Sequence, residues 1–168
     1  MNYSISYDTT TKIITPIALI AIVAGIASVW AMHIEGMSGY KYLSLAVLFL
    51  VLLISWGYAP KSYNIDDGFV HINRMLMPAV RINTGDIMSV EAVPRSQLKG
   101  SIRLFGSGAF FGYYGTFISK KLGRMKWFAT NLDNAVFIKT HVGKKYLLTP
   151  DERDSFIRTI QNSIKKAA

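Results

Sequence analysis

Catalysis needs nucleophiles, titratable pairs or metal ligands at workable spacings, and this chain offers few of them. It contains no cysteine, so thiolate nucleophiles, disulfides and cysteine-bound metals are excluded together. His33, His71 and His141 stand far apart, with no carboxylate at ligand spacing, and read as singly solvated or packed side chains. Asp66-Asp67 runs directly into Gly68, which marks a turn rather than an acid pair. Neither a nucleophile elbow nor an HExxH motif occurs. The expectation is a protein that binds rather than catalyses, with no cofactor and no metal.

Binding chemistry concentrates in RLFGSGAFFGYYGTFISKKLGR, Arg103 to Arg124, where glycines and aromatics alternate between basic ends. As a dinucleotide fingerprint it fails, because Gly106 and Gly108 are followed by Gly112, one residue late, without a βαβ context. As a P-loop it lacks the glycine before Ser119-Lys120-Lys121. As a membrane span, Leu104 to Ser119 is about 16 residues, below the usual 18–20, and helical glycine costs about 1 kcal/mol per position. What remains is a strand, a tight turn and a second strand, with Gly106, Gly108, Gly112 and Gly115 permitting bends, bulges or close backbone packing. Most of Phe105, Phe110, Phe111, Tyr113, Tyr114 and Phe117 then serve as core or cross-strand pairs. A further reading of the same fold points some of these rings outward, into a headgroup zone. In that reading Arg103, Phe110, Phe111, Tyr113, Tyr114, Lys120, Lys121, Arg124 and Lys126 form a surface for anionic lipid or a protein partner. Each cation near such a surface is worth about 1 kcal/mol.

The elements that position this stretch begin with two apolar runs. From Ile13 to Ile34 no charge interrupts IITPIALIAIVAGIASVWAMHI, and about 22 residues make a helix of roughly 33 Å against a hydrocarbon core of about 30 Å. Thr15-Pro16 is the expected helix start. A second run, from Tyr42 to Pro60, is also long enough to span. Only Glu35 to Lys41 separates them, which forces an antiparallel hairpin with spans at about 13–34 and 42–59. A cleaved signal peptide fits less well, since the first run exceeds an h-region of about 7–15 residues and its start is hardly basic. Trp30, Tyr40, Trp56 and Tyr58 fit interfacial anchors. Ala21, Gly25 and Ser28 form a stripe of small residues where the second helix has room to approach. Most Lys and Arg lie beyond the second run, so both termini are expected in the cytoplasm, at the plasma (inner) membrane, with the Glu35–Lys41 loop outside.

After Pro60 the texture changes to short alternating runs. KSYNI and FVHINR flank Asp66-Asp67-Gly68, a hairpin signal. PAVRI and DIMSVEAV flank Asn83-Thr84-Gly85 as another expected pair, and GRMKWFAT, AVFIKT and KKYLLT repeat the pattern across Asn131–Asn134 and Val142-Gly143. About seven strands at this spacing suit a small antiparallel barrel or sandwich. A helix over 150–165 closes the chain: Thr149 caps, Pro150 takes the first position and Glu152 completes a capping box. Phe156, Ile157, Ile160 and Ile164 share one face, which must cover the strands. Acidic residues start this helix and Lys165 and Lys166 end it, matching its dipole.

Strands followed by one C-terminal helix is the order of a pleckstrin-homology-like fold. RLFGSGAFFGYYGTFISKKLGR, continuing into MKWFATNLDNAVFIKTHVGKKYLLTPDERDSFI, resembles the bacterial PH-domain family over roughly residues 61–160. The resemblance implies the fold and attachment to a membrane, since members often carry a helical hairpin ahead of the domain. It implies no settled activity and no catalytic residues. The combined expectation is an α+β chain: residues 1–60 a transmembrane hairpin, 61–168 a PH-like antiparallel β-barrel of about seven strands capped by a helix. Its function would be binding or scaffolding through anionic lipid, a protein partner or its own copies. An accessory subunit of an envelope enzyme or transporter is the alternative. The formal charge of +9 also attracts nucleic acid in principle. The aromatics are not arranged as an RNA-binding signature, and none is expected as a partner.

Overall fold

A computed structural model describes residues 1–31 and 38–167; the expectations for His33, for Glu35 to Met37 and for the Lys166 side chain fall outside it. Two long helices come first, α1 (Thr9–Ala31) and α2 (Ser38–Tyr58), after a short strand β1 (Asn2–Tyr3). Both helices are long and apolar enough to cross a membrane, and none of the most apolar window of either is buried inside the protein. Asp8 starts α1, not Thr15: its Oδ1 accepts the Thr11 backbone N–H at 2.9 Å and its carbonyl accepts from Lys12. The cap therefore stands seven residues ahead of the expected one, and Pro16 lies inside the helix. The small-residue stripe is not used for close packing. A Cβ on Gly25 would meet nothing within 4 Å, and an apolar gap of about 330 Å³ beside it separates α1 from α2.

The remaining strands are β2 (Pro60–Asp66), β3 (Phe69–Arg74), β4 (Val80–Asn83), β5 (Ile87–Ala92), β6 (Ile102–Gly108), β7 (Tyr113–Ser119), β8 (Gly123–Ala129), β9 (Val136–Thr140) and β10 (Lys145–Leu148). A one-turn helix α3 (Arg95–Leu98) precedes β6, and α4 (Arg153–Ala167) ends the chain. Among the described residues this makes ten strands in two sheets, ordered β1-β2-β3-β4 and β5-β9-β10-β8-β7-β6. The antiparallel barrel of about seven strands is thus corrected to two packed sheets that do not close on each other, with β10 parallel to β8. The α+β character and the order of helices, strands and final helix are as expected.

Local chemistry explains which hairpins form. Asp67 (φ 48°) and Gly68 (φ 76°) take the positive angles of a primed turn, and β2 pairs antiparallel with β3. Asn83-Thr84-Gly85 does not join a pair. Its residues make a 3-10 turn in which Asn83 Oδ1 accepts the Gly85 N–H at 2.9 Å, while Thr84 donates to the Gly68 carbonyl from both N–H and hydroxyl. The corner sends the chain from one sheet to the other, so β4 pairs with β3 and β5 with β9. A second 3-10 corner at Leu132–Asn134 likewise separates β8 from β9. Gly143 (φ 79°) turns β9 into β10, which then fills the space between them.

The core has two layers, because the larger sheet is covered on both faces. Val136, Ile138, Tyr146 and Leu148 face the smaller sheet and α4, with Tyr63, Val70, Ile72, Phe156 and Ile160. Phe137 and Leu147, one residue out of phase, face Trp127, Tyr113 and the Val93–Leu98 segment. Burial on both sides explains why β9 and β10 read as continuous apolar runs rather than alternation. The apolar stripe of α4 packs as expected, with Phe156 and Ile160 fully buried and Ile157 and Ile164 packed against the cluster. Its start is corrected. The first helical bond runs from the Phe156 N–H to the Glu152 carbonyl, and Thr149 turns inward, its Oγ1 accepting the Thr130 N–H at 2.8 Å. Residues before α1 belong to the strand body as well: β1 pairs with β2, and Tyr3 packs edge-on to Phe156 at 5.0 Å.

Candidate functional site

The glycine–aromatic stretch is β6, a tight turn and β7. Its register slips between Arg103 and Phe105, which leaves Leu104 as a bulge. Gly106 and Gly115 then face each other across the ladder, with φ of 105° and 119°. A Cβ on Gly106 would stand 2.0 Å from the Tyr114 carbonyl oxygen, and one on Gly115 would stand 2.2 Å from that of Phe105. Only glycine tolerates both the angle and the approach. Bulge and glycine pair together bend the hairpin strongly.

The bent hairpin is fastened to the bases of both long helices. Thr15 Oγ1 on α1 donates to the Ala109 carbonyl at 3.2 Å and accepts the Phe111 N–H at 3.1 Å. This clips a turn in which Ala109 (φ 85°) and Phe111 (φ 57°) hold angles unusual for non-glycine residues. On the α2 side, Tyr114 Oη donates to the Ser55 carbonyl at 2.6 Å and lies 2.7 Å from the Ser55 hydroxyl. Tyr113 points to the opposite face, where its Oη donates to Asp8 Oδ2 at 3.0 Å. Arg95 also reaches Asp8, at 3.5 Å, and Asp133, at 3.2 Å. Burial raises the ionisation of both tyrosines, with the Asp8 charge adding to the effect at Tyr113, so both hydroxyls stay protonated donors. Finally, Gly57 near the end of α2 gives its carbonyl to the Leu76 and Met77 N–H groups, which fixes the loop after β3 beneath the helix.

These attachments leave a groove of about 780 Å³ between the last turns of α2 and the concave face of the hairpin. Val51, Ile54, Ser55 and Tyr58 line it from α2, and Phe105, Phe110, Tyr114 and Thr116 from the hairpin. Val80 and the buried Phe128 close it from the strands behind. Among the described residues three cations line the same groove, Arg74, Arg103 and Lys126, and no carboxylate does. Arg74 is partly committed: its Nε donates to the Pro78 carbonyl at 2.9 Å and its guanidinium lies 5.2 Å from the Tyr58 ring centroid. Arg103 and Lys126 are exposed. Phe105 is 79% exposed, a large ring left bare beside a cationic slot.

Of the nine residues picked from sequence, the groove brings together Arg103, Phe110, Tyr114 and Lys126. Phe111 lies outside it, its ring tilted against that of Phe110 with centroids 4.3 Å apart, and Tyr113 is a buried strut rather than an outward ring. Lys120, Lys121 and Arg124 are exposed at the β7–β8 turn. Seven residues of β7 at about 3.3 Å each put that turn on the order of 20 Å from the β6–β7 turn. Arg74 and the α2 wall were missed. Arg74 closes an ordinary strand, and nothing nearby in sequence connects it to Arg103 or Lys126. Spacing along α2 was the available signal, since residues 51, 54, 55 and 58 share one helical face.

Comparison with known proteins gives one result on family and none on closer relatives. No curated protein and no solved structure matches the chain. The family described as bacterial PH domain matches residues 61–164, from the second residue of β2 into α4, over half of the chain. With β3 to β10, both crossover corners and most of the final helix inside the matched stretch, the chain belongs to the bacterial PH domain family.

Proposed function

We propose that this protein is a two-span membrane protein that holds a non-catalytic binding body at the cytoplasmic face of the plasma (inner) membrane, in contact with anionic lipid and open to a protein partner. PH domains are in general non-catalytic binding modules. Membrane crossing is supported by the apolar windows of α1 and α2, none of which is buried in the protein; two such rods need apolar surroundings. The cytoplasmic side follows from the distribution of Lys and Arg, most of which lie beyond α2.

The observation that carries the lipid contact is the groove, whose three cations and bare phenylalanine open beside the last turns of α2. That is the level at which a spanning helix leaves the bilayer. The hairpin already supplies attachment, so lipid contact orients the body rather than recruiting it. The free outer faces, including the unpaired edge of β6, remain for a partner.

The test uses the whole chain, because a fragment starting at Lys61 loses β1, Tyr3 and Asp8 from the body. The absence of cysteine makes a single Leu104→Cys label unique. A polarity-sensitive dye there, in nanodiscs, should report a drier environment with phosphatidylglycerol than with phosphatidylcholine, and high salt should reverse the difference. An identical signal in both lipids at every salt concentration contradicts lipid contact.

A further inference from the structure

We infer that the groove beside α2 is a seat for one intact anionic phospholipid of the adjoining leaflet, with its phosphate at Arg103 and Lys126 and an acyl chain along Val51 and Ile54. The inference rests on the membrane placement proposed above and names the ligand of that same site. Its basis is two chemistries in one cavity. An inorganic anion or detached headgroup would satisfy the cations, yet leave Phe105 and the α2 wall without apolar cover inside the groove. An uncharged lipid would cover the apolar wall and leave the cations without a counter-charge, since no carboxylate among the described residues lines the groove. Only a ligand that is anionic at one end and apolar at the other complements both. The volume, about 780 Å³, lies within the 300–1,000 Å³ typical of small-molecule sites and far exceeds what a phosphate needs. A second copy of this chain is a poor occupant, because it too carries a formal charge of +9 and repels a cationic groove.

The seat is separable from the general attraction of the surface. Lys120, Lys121 and Arg124 lie at the other end of β7 and do not line the groove, so they draw the body toward anionic lipid without gripping one molecule. The experiment is native mass spectrometry of the full-length protein in mild detergent, offered phosphatidylglycerol, phosphatidylcholine or the deacylated headgroup glycerophosphoglycerol. One phosphatidylglycerol per chain should be retained, at least about tenfold better than phosphatidylcholine, for the loss of charge-assisted contacts. Glycerophosphoglycerol should not compete. Arg103→Gln with Lys126→Gln should lower retention by about tenfold or more. Ile54→Trp, which fills the apolar wall and leaves every charge in place, should lower it too, and keeps the test decisive if the charge variant misfolds. Lys120→Gln, Lys121→Gln and Arg124→Gln together should leave it unchanged. Equal retention of both lipids, competition by the deacylated headgroup, or indifference to Ile54→Trp each overturns the seat. If retention fails while the Leu104→Cys dye still responds to lipid charge, the seat falls and the surface contact stands; a silent dye removes the contact itself.

Discussion

Tyr63 shows how much of this body rests on single hydroxyls placed far apart in sequence. Its ring is fully buried, its Oη donates to the Phe128 carbonyl, and it accepts the Thr149 N–H at 3.1 Å. Burial, partly offset by that hydrogen bond, pushes its ionisation from 10.0 up to about 12. Because the folded value is raised, the unfolded chain gives up this proton first. The stabilisation is present in full below about pH 10 and is lost as pH climbs through about 12. Tyr113 and Tyr114 shift the same way. Chemical denaturation followed against pH should therefore show stability falling above pH 10, with a shallower fall in Tyr63→Phe. At neutral pH that variant should cost about 1–3 kcal/mol, since it leaves the buried Thr149 N–H without a partner. A flat profile from pH 9 to 12 in the wild type, on the scale of the ordinary value of 10.0, would refute the assignment. Asp8 is a second such residue. Asp8→Ala removes the α1 cap and strands the Tyr113 hydroxyl, and should lower stability by roughly 1–3 kcal/mol. Neither role was legible in sequence, because Asp8 and Tyr113 stand 105 positions apart and Tyr63 and Thr149 stand 86 apart. Residue types alone do not pair across such distances.

At the scale of elements, what is encoded locally could be read and what depends on distant pairing could not. Asp67-Gly68 specifies its own turn, the Arg103–Arg124 stretch its strand–turn–strand form, and the Phe156–Ile164 stripe its own helix face. Asn83-Thr84-Gly85 uses the same turn residues, yet becomes a corner, because Thr84 finds the Gly68 carbonyl of another hairpin. Thr15 and Thr149 were both read as helix caps, a role they suit chemically; each is instead spent on a neighbouring loop or strand. The insertion of β10 beside β8 leaves no local mark at all. The β6–β7 element carries the sharpest prediction. Gly106→Ala should destabilise by more than about 3 kcal/mol, as positive-φ strain and backbone overlap add. Gly100→Ala, also at positive φ but with open space around its Cβ, should cost only about 1 kcal/mol. Thermal or denaturant midpoints of the two variants settle this, and similar values for both would show that the close approach of Gly106 to Gly115 does not hold the bend.

For the whole molecule, the decisive arrangement is the fastening of the body to the bases of both helices through Asp8, Thr15, Ser55 and Gly57. Those contacts join the strand body, which the family match begins at Lys61, to residues well before it, and they create the groove as a by-product of the join. Part of this was visible from composition: two uncharged runs, a short link and a basic remainder suffice for a hairpin ahead of a strand-rich body. The groove was not, since its walls come from α2, β3, β4, β6, β7 and β8 and exist only after the hairpin bends. The proposed placement puts the body on the cytoplasmic side of the membrane. Single cysteines at Gly39, in the first turn of α2, and at Lys121, in the β7–β8 turn, can be labelled with a membrane-impermeant maleimide in intact cells, free of background because the chain has no cysteine of its own. Labelling of Gly39→Cys from outside, with Lys121→Cys labelled only after lysis, is the predicted result. Labelling of Lys121→Cys in intact cells would contradict it.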